Sequence, residues 1–233
     1  MALGLREEIV LVVAYSQNAF FIDNTLDDVE KKRASSFRFE HLRGQYTFAH
    51  AFKRQVLSHY FPFKKPSEWY FHQTPAGKPF IKEGIAFNLS HSASSVAVAL
   101  VESTDKGAVG VDIECFRQMD DLESMIEMVC HPDEMQQLDR CHDRSKGFFK
   151  LWTAKEALLK ACGSGLIDDL NSINCLPSLL GDQIYSLHWQ GTQYFLKNFS
   201  FYWGVITTAW SADLLVSDIR LDDWTSGAVA RFL

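Results

Sequence analysis

The sequence is short of several features that would decide a function at once. Its five cysteines, Cys115, Cys130, Cys141, Cys162 and Cys175, form no C-x-x-C pair, which removes the usual support for a zinc ribbon or a thioredoxin-like centre. The odd count reads as reduced thiols. None of the eight histidines stands in an H-E-x-x-H helix. The N-terminal apolar run, Ile9 to Tyr15, is far below the roughly 20 residues a membrane helix needs. Glu7 and Glu8 precede it where an export signal would carry basic residues. The expectation is a cytoplasmic protein with no membrane partner. No Gly/Ser-rich or Pro-rich stretch divides the chain, so any two halves must pack closely. What remains is 233 residues, 47% hydrophobic, at net charge −6, a composition that argues against disorder.

Acidic residues are scarce in one place. Residues 31–65 carry nine Lys/Arg against the single acid Glu40, a net +8 that leaves −14 for the rest. A basic segment in an acidic protein points to a local anion site, not a nucleic-acid surface.

Periodicity predicts a buried strand over 6–15, a helix over 24–35 capped by Asn24 or Thr25, and a helix over 40–60 stopped by Pro62. A turn follows at 74–79, then strands over 84–90, 95–101 and 107–114. Residues 120–130 read as a helix, and His131-Pro132 starts a short one. The clearest helix is 145–162, burying Phe148, Leu151, Trp152, Leu158 and Leu159 and closed by Gly163 and Gly165. Strands are expected near 183–189, 193–199 and 202–210. The class is α+β.

Four motifs could carry chemistry. In Gly110-Val-Asp112-Ile-Glu114, strand alternation places Val109, Val111 and Ile113 on one face and the two acids on the other. Same-face neighbours lie about 7 Å apart, so the two carboxylates repel each other unless a cation such as Mg²⁺ sits near them, or else face solvent. In Trp152-Thr-Ala-Lys155-Glu156-Ala-Leu-Leu-Lys160-Ala-Cys-Gly163-Ser-Gly165-Leu166, Glu156 and Lys160 are four apart. They read either as a surface ion pair or as a third carboxylate for the metal with a lysine to neutralise phosphate. Phe87-Asn-Leu-Ser90-His91-Ser92 offers hydroxyl, imidazole and backbone N–H groups to phosphate. Gly77-Lys78-Pro79 is a tight turn without nucleotide P-loop spacing.

Together, G-K-P, F-N-x-S-H-S, G-V-D-I-E and W-T-x-K-E-A-x-x-K-A-x-G-x-G-L resemble, in order and spacing, the 4'-phosphopantetheinyl transferases of the larger, surfactin-synthetase-associated (Sfp-like) type. The stretches Arg33-Ala-Ser-Ser-Phe37-Arg-Phe39 and His131-Pro132-Asp-Glu134 also look like family features, and the resemblance covers about residues 30–170. It implies transfer of 4'-phosphopantetheine from coenzyme A to a serine of an apo acyl or peptidyl carrier protein, with release of adenosine 3',5'-bisphosphate. It implies a monomeric pseudo-dimer of two similar α+β halves, here 1–108 and 109–233, with the active site in the cleft between them. By the motif match Asp112, Glu114 and Glu156 would bind Mg²⁺. Glu156 would also take the serine proton, and Lys160 would stabilise the leaving bisphosphate. Arg33, Arg43, Lys78, Ser90, His91 and Lys155 would contact coenzyme A. Where relatives carry D-R-x-R, this chain reads Leu42-Arg43-Gly44-Gln45. The competing readings are another Mg²⁺-dependent enzyme that cleaves a phosphoanhydride, and an inactive module that binds coenzyme A or carrier protein.

Overall fold

The computed structural model describes residues 8–15, 25–103, 108–165 and 167–224. The N-terminal apolar run is strand β1 (Glu8–Tyr15). Helices α1 (Asp28–Ser35) and α2 (Glu40–Tyr60) follow, then the short strands β2 (His72–Gln73) and β3 (Pro79–Phe80), then β4 (Ile85–Ser92) and β5 (Ser95–Glu102). The second half opens with β6 (Val109–Cys115) and continues through α3 (Leu122–Val129), α4 (Pro132–Leu138), α5 (Arg144–Cys162) and α6 (Pro177–Leu180). It ends with β7 (Tyr185–Trp189), β8 (Thr192–Ser200), β9 (Gly204–Ser211) and β10 (Asp218–Asp223).

The two halves repeat one plan. In the first, β5 pairs antiparallel with both β1 and β4, and α2 lies in sequence between β1 and β4. In the second, β9 pairs antiparallel with both β6 and β8, and α5 lies between β6 and β8. One strand is added to each sheet, giving the orders β10-β1-β5-β4 and β6-β9-β8-β7. This is an α+β pseudo-dimer. The added strand β10 comes from the C-terminal end yet pairs parallel with β1, Ile219 against Ile9 and Leu221 against Leu11. The chain therefore crosses back to the first sheet after completing the second.

Three apolar cores stack these layers. On α2, Phe48, Phe52, Val56 and Tyr60 recur at helical spacing and pack on Val10, Val12, Val96, Val98 and Leu100. The opposite face of that sheet presents Ile9, Leu11, Ala97 and Ala99 to Val109, Val111, Ile113 and Ile206 of the second sheet. The small Ala97 and Ala99 side chains leave room for that sheet to approach. On its far side Leu151, Ala154, Ala157 and Leu158 of α5 pack on Leu196 and Ala209. The layer order is α2, first sheet, second sheet, α5.

Several local expectations need correction. Helix α1 is capped by Asp27, whose carboxylate accepts from Glu30 N–H at 2.9 Å while Glu30 reaches back to Asp27 N–H. The helix begins at Asp28, so its cap falls two residues past Thr25, and Asn24 lies outside the described residues. Trp152 is half-buried, packed on the rim of its core. Strand β4 continues two residues past Ser90, to a Ser92–Ser95 pair. Among the described residues no helix is long and apolar enough to cross a membrane.

Candidate active site

The site forms where β4, β6 and α5 meet. Helix α5 lies so close to β6 that a Cβ added at Gly110 would sit 2.1 Å from the Ala157 carbonyl oxygen and 2.4 Å from the Ala161 nitrogen. Only glycine permits that approach. Two residues along the strand, Asp112 points up beneath the helix. Its Oδ1 accepts from Lys160 Nζ at 2.6 Å and from the Ser90 hydroxyl at 2.8 Å, and Lys160 also donates to Ser90 Oγ at 2.9 Å. Asp112 Oδ2 is buried with no hydrogen-bond partner among the described residues. Burial raises the pKa of this carboxyl, and the Lys160 charge and the Ser90 hydrogen bond only partly offset it.

One helical turn before Lys160, Glu156 is in the same condition. Its Oε1 is buried and unpartnered among the described residues. Burial raises its pKa, the Asp112 charge raises it further, Lys160 opposes, and Glu114 adds to the rise. Glu114 lies nearer the surface, where its Oε2 accepts from the Ser92 hydroxyl at 2.7 Å and from Arg117 at 2.9 Å. The alternation expected of β6 is therefore present, but its two acids differ. Asp112 is covered by α5, while Glu114 emerges beyond the helix. Lys160 reaches across to Asp112 on the sheet, so the surface ion pair along the helix is superseded by a tertiary one.

Sequence reasoning singled out Ser90 and missed its neighbours. Asn88, Ser90 and Ser92 share one face of β4 and stitch it to β6. Asn88 Oδ1 accepts from Val111 N–H at 2.9 Å, Ser90 meets Asp112, and Ser92 meets Glu114. The i, i+2, i+4 spacing of three short polar residues in a strand was the available signal, because only a neighbouring polar surface justifies burying them.

The remaining candidates are more dispersed. Lys78 donates to the carbonyls of Val109 at 3.1 Å and Ala161 at 2.9 Å, tying the 74–79 turn of the first half to the end of α5 in the second. Burial lowers its pKa to about 8. It lines a cleft of about 310 Å³ together with Gly77, Asn88, Glu156 and Lys160. His91 is solvent-accessible, but partial desolvation of its ring, followed by the Lys160 charge, lowers its pKa. Arg33 and Arg43 are exposed on α1 and α2, and the Arg33 guanidinium lies 5.2 Å from the Phe37 ring.

Lys155 requires a correction. It was expected to contact coenzyme A, but it is 1% exposed. Its ammonium lies 2.7 Å from Glu134 Oε2 and donates to the carbonyls of Val129 at 2.6 Å and Leu170 at 3.1 Å. Adjacent helix positions diverge by about 100°, so Lys155 faces the core when Glu156 faces the site. All three N–H donors are engaged. Glu134 is equally occupied, accepting from the N–H groups of His131 and Cys175.

The basic segment is also partly neutralised within the fold. Buried Lys53 and Arg54 pair with Glu30 at 2.8 and 2.7 Å, Arg54 also reaches Asp27, and Lys64 pairs with Glu83. The exposed cations are Lys31, Lys32, Arg33, Arg38 and Arg43, with Lys65 further along. Among the described residues no group of three or more His, Cys, Asp or Glu side chains is arranged to enclose a metal ion.

Residues 108–212, from the start of β6 to just past the end of β9, match the model of the 4'-phosphopantetheinyl transferase superfamily. The 4'-phosphopantetheinyl transferase HetI of Nostoc sp. is 36% identical over 149 residues, 61% of this chain and 61% of that protein. The 4'-phosphopantetheinyl transferase AcpT of Salmonella typhimurium is 34% identical over 108 residues, 45% of this chain and 55% of that one. The 4'-phosphopantetheinyl transferase gsp of Aneurinibacillus migulanus is 36% identical over 104 residues, 44% and 41%. The chain thus spans less than two thirds of the length of each of these relatives. The matched segment contains Asp112, Glu114, Glu156 and Lys160 and leaves the β4 residues outside it.

Proposed function

We propose that this protein transfers the 4'-phosphopantetheine group of coenzyme A to a serine hydroxyl of an apo acyl or peptidyl carrier protein and releases adenosine 3',5'-bisphosphate. The observation that carries the reading is the pair of buried, unpartnered carboxylate oxygens, Asp112 Oδ2 and Glu156 Oε1, beside the Lys160 ammonium, inside a segment matched to this superfamily. Buried carboxylates without donors favour a cation. Their hard oxygens suit Mg²⁺, which takes one or two carboxylates and completes its shell with water and substrate phosphate, so an enclosing protein cage is not required. Asp112 and Glu156, with Glu114 at the rim, would hold it. Bound there, the ion supplies Lewis-acid polarisation of the pyrophosphate oxygens.

The chain's own groups account for the rest. The serine oxygen bonds to the phosphorus that carries pantetheine, and the bond from that phosphorus to the bridging oxygen breaks. The electron pair leaves with the bisphosphate, and the serine proton passes to the Glu156 carboxylate. A carboxyl whose pKa is raised is a stronger base once ionised. Lys160 neutralises charge on the departing phosphate, which suits a reaction that needs positioning and charge stabilisation more than covalent help. Arg33, Arg43, His91 and Lys78, from the first half, are the coenzyme A phosphate contacts in this reading, with Ser90 holding Asp112 and Lys160 in place. Two halves of similar plan in one chain, with β10 of the expected second half (109–233) returning to the first sheet, support the larger, surfactin-synthetase-associated type acting as a monomer.

The test is the intact mass of an apo carrier protein after incubation with this protein, coenzyme A and Mg²⁺. The expected result is the addition of one phosphopantetheine, abolished by EDTA and by Glu156→Gln. Hydrolysis of coenzyme A without modification of any carrier would replace this reading with a phosphoanhydride hydrolase.

A further inference from the structure

Helix α5 bears on the second sheet in two chemically different ways. At Ala157 and Ala161 it meets Gly110 backbone to backbone. That contact limits how near the helix can come. It is a van der Waals contact with backbone atoms and non-directional, so it resists rotation of the helix about its axis only weakly. One turn earlier the contact is polar and directional. Thr153, fully buried, lies 2.9 Å from the hydroxyl of Thr207, which is the residue directly opposite Asp112 in the β6–β9 ladder.

The proton order along this contact follows from its far end. The Ser178 carbonyl can only accept, so it takes a hydrogen from Asn198 Nδ2 at 3.1 Å. Asn198 Oδ1 then faces Thr207, which donates to it at 3.0 Å. With its single hydrogen committed, Thr207 meets Thr153 as an acceptor, and Thr153 shares its one hydrogen between Thr207 and the carbonyls of Phe149 at 2.9 Å and Lys150 at 3.2 Å. Thr207 gives its one hydrogen to Asn198, and Asn198 gives one of its two amide hydrogens to the Ser178 carbonyl. The series crosses from α5 through β9 and β8 to α6, where Ser178 also meets the Tyr185 hydroxyl at 2.5 Å. Thr207, Asn198 and Ser178 are buried. An apolar pair would fill the same space without the hazard of unsatisfied groups. A buried hydrogen-bonded network favours one arrangement, because a slip leaves a donor or acceptor unpaired.

Thr153, Glu156, Ala157 and Lys160 lie at positions i, i+3, i+4 and i+7, one stripe of the helix. We infer that the Thr153–Thr207–Asn198 series is the positioning device that sets the rotation of α5 on the sheet and so delivers Glu156 and Lys160 to Asp112. The inference rests on the reading given above. Thr153 and Thr207 are positioning residues that act through the two helix side chains.

The experiment compares Thr153→Val, Thr153→Ser, Thr207→Val and the double Thr153→Val/Thr207→Val variant with the unsubstituted protein. Carrier modification is measured by steady-state kinetics. Mn²⁺ affinity in the presence of coenzyme A is measured by electron paramagnetic resonance. Thr153→Val is expected to lower kcat at least tenfold with the KM for coenzyme A changed less than twofold, and to weaken Mn²⁺ binding several-fold. Thr153→Ser keeps the hydroxyl and is expected to remain within threefold of the unsubstituted protein. The double variant leaves Asn198 Oδ1 without its donor, as Thr207→Val alone does, and is expected to be no worse than Thr207→Val. Should Thr153→Val fail to fold, Thr207→Val leaves the helix face intact and carries the same test. A lowered melting temperature with kcat and Mn²⁺ affinity unchanged would overturn the inference, as would an unsubstituted protein that binds no Mn²⁺. If the unsubstituted protein binds Mn²⁺ but modifies no carrier, the transferase reading fails, and the Mn²⁺ comparison alone still decides the positioning role.

Discussion

Gly110→Ala is the sharpest perturbation of this site. The added methyl would lie 2.1 Å from the Ala157 carbonyl oxygen, 2.4 Å from the Ala161 nitrogen and 3.0 Å from its Cα. All three are backbone atoms of α5, so no side chain can rotate to relieve the clash. Reaching an ordinary 3.4 Å contact requires the helix to retreat by about 1.3 Å. Overpacking of a core costs about 1–3 kcal/mol, and a rigid backbone partner puts this case at the upper end. For a chain of this size about 3 kcal/mol corresponds to a melting temperature lower by roughly 6–12 °C. The retreat also carries Lys160 away from Asp112. Their 2.6 Å contact would lengthen beyond hydrogen-bond range. A displacement of about 1 Å in a catalytic constellation costs roughly a hundredfold in rate. Thermal and urea unfolding followed by circular dichroism would give the stability, and carrier modification by mass spectrometry the rate. A Gly110→Ala protein within about 0.5 kcal/mol of the original and equally active would refute the close-packed helix. Gly44 provides the contrast, since a Cβ there meets nothing within 4 Å. On the exposed face of α2, Gly44→Ala is expected to stabilise by about 0.5–1 kcal/mol.

Further outcomes follow from the buried charges. Lys155→Met leaves Glu134 without its cation in a fully buried site, and the expected loss is about 3–5 kcal/mol in urea unfolding; a raised KM for coenzyme A at unchanged stability would restore Lys155 to the substrate site. Burial alone would raise the pKa of Glu30, but the His50 hydrogen bond and the Lys53 and Arg54 charges outweigh it and hold the carboxyl far below its usual range. Its contribution to stability is therefore complete above the unfolded value of about 4.3 and is lost as pH falls below it. Acid titration of the unsubstituted protein is expected to be steeper below that pH than that of Glu30→Gln, and parallel curves would count against the pairing. Asp112→Asn removes a buried carboxylate while Lys160 keeps a route to solvent, its side chain being 28% exposed. Its stability should stay within about 1 kcal/mol while transfer falls at least a hundredfold. Substantial transfer by that variant would remove Asp112 from the chemistry.

Local information was enough for the scaffold and for the identity of the candidate groups. The helical spacing of α2 and α5, the alternation of β4 and β6 and the stop at Pro62 are nearest-neighbour effects, legible because side-chain direction repeats every 3.6 or 2 residues. The D-x-E pair and the K-E-A-x-x-K stretch likewise named Asp112, Glu114, Glu156 and Lys160. Strand β10 was not legible, because Asp218, Arg220, Asp222 and Asp223 dilute its two apolar residues, Ile219 and Leu221. Its pairing with β1, some 200 positions earlier, is a long-range choice made by the exposed edge of that sheet.

Tertiary structure alone decided what each charge does. Lys155 and Lys160 are both lysines of one helix. A rotation of the helix places the first against Glu134 in the core and the second against Asp112 at the seam. Lys53 and Arg54 belong to the basic segment by sequence but are neutralised by Glu30, an acid just outside it. Sequence sets which groups are charged and which way each element faces. Burial, and the partner that another element brings within about 3 Å, set whether a charge is structural or is left available for chemistry. Neither is a property of the residue's own neighbourhood in the chain.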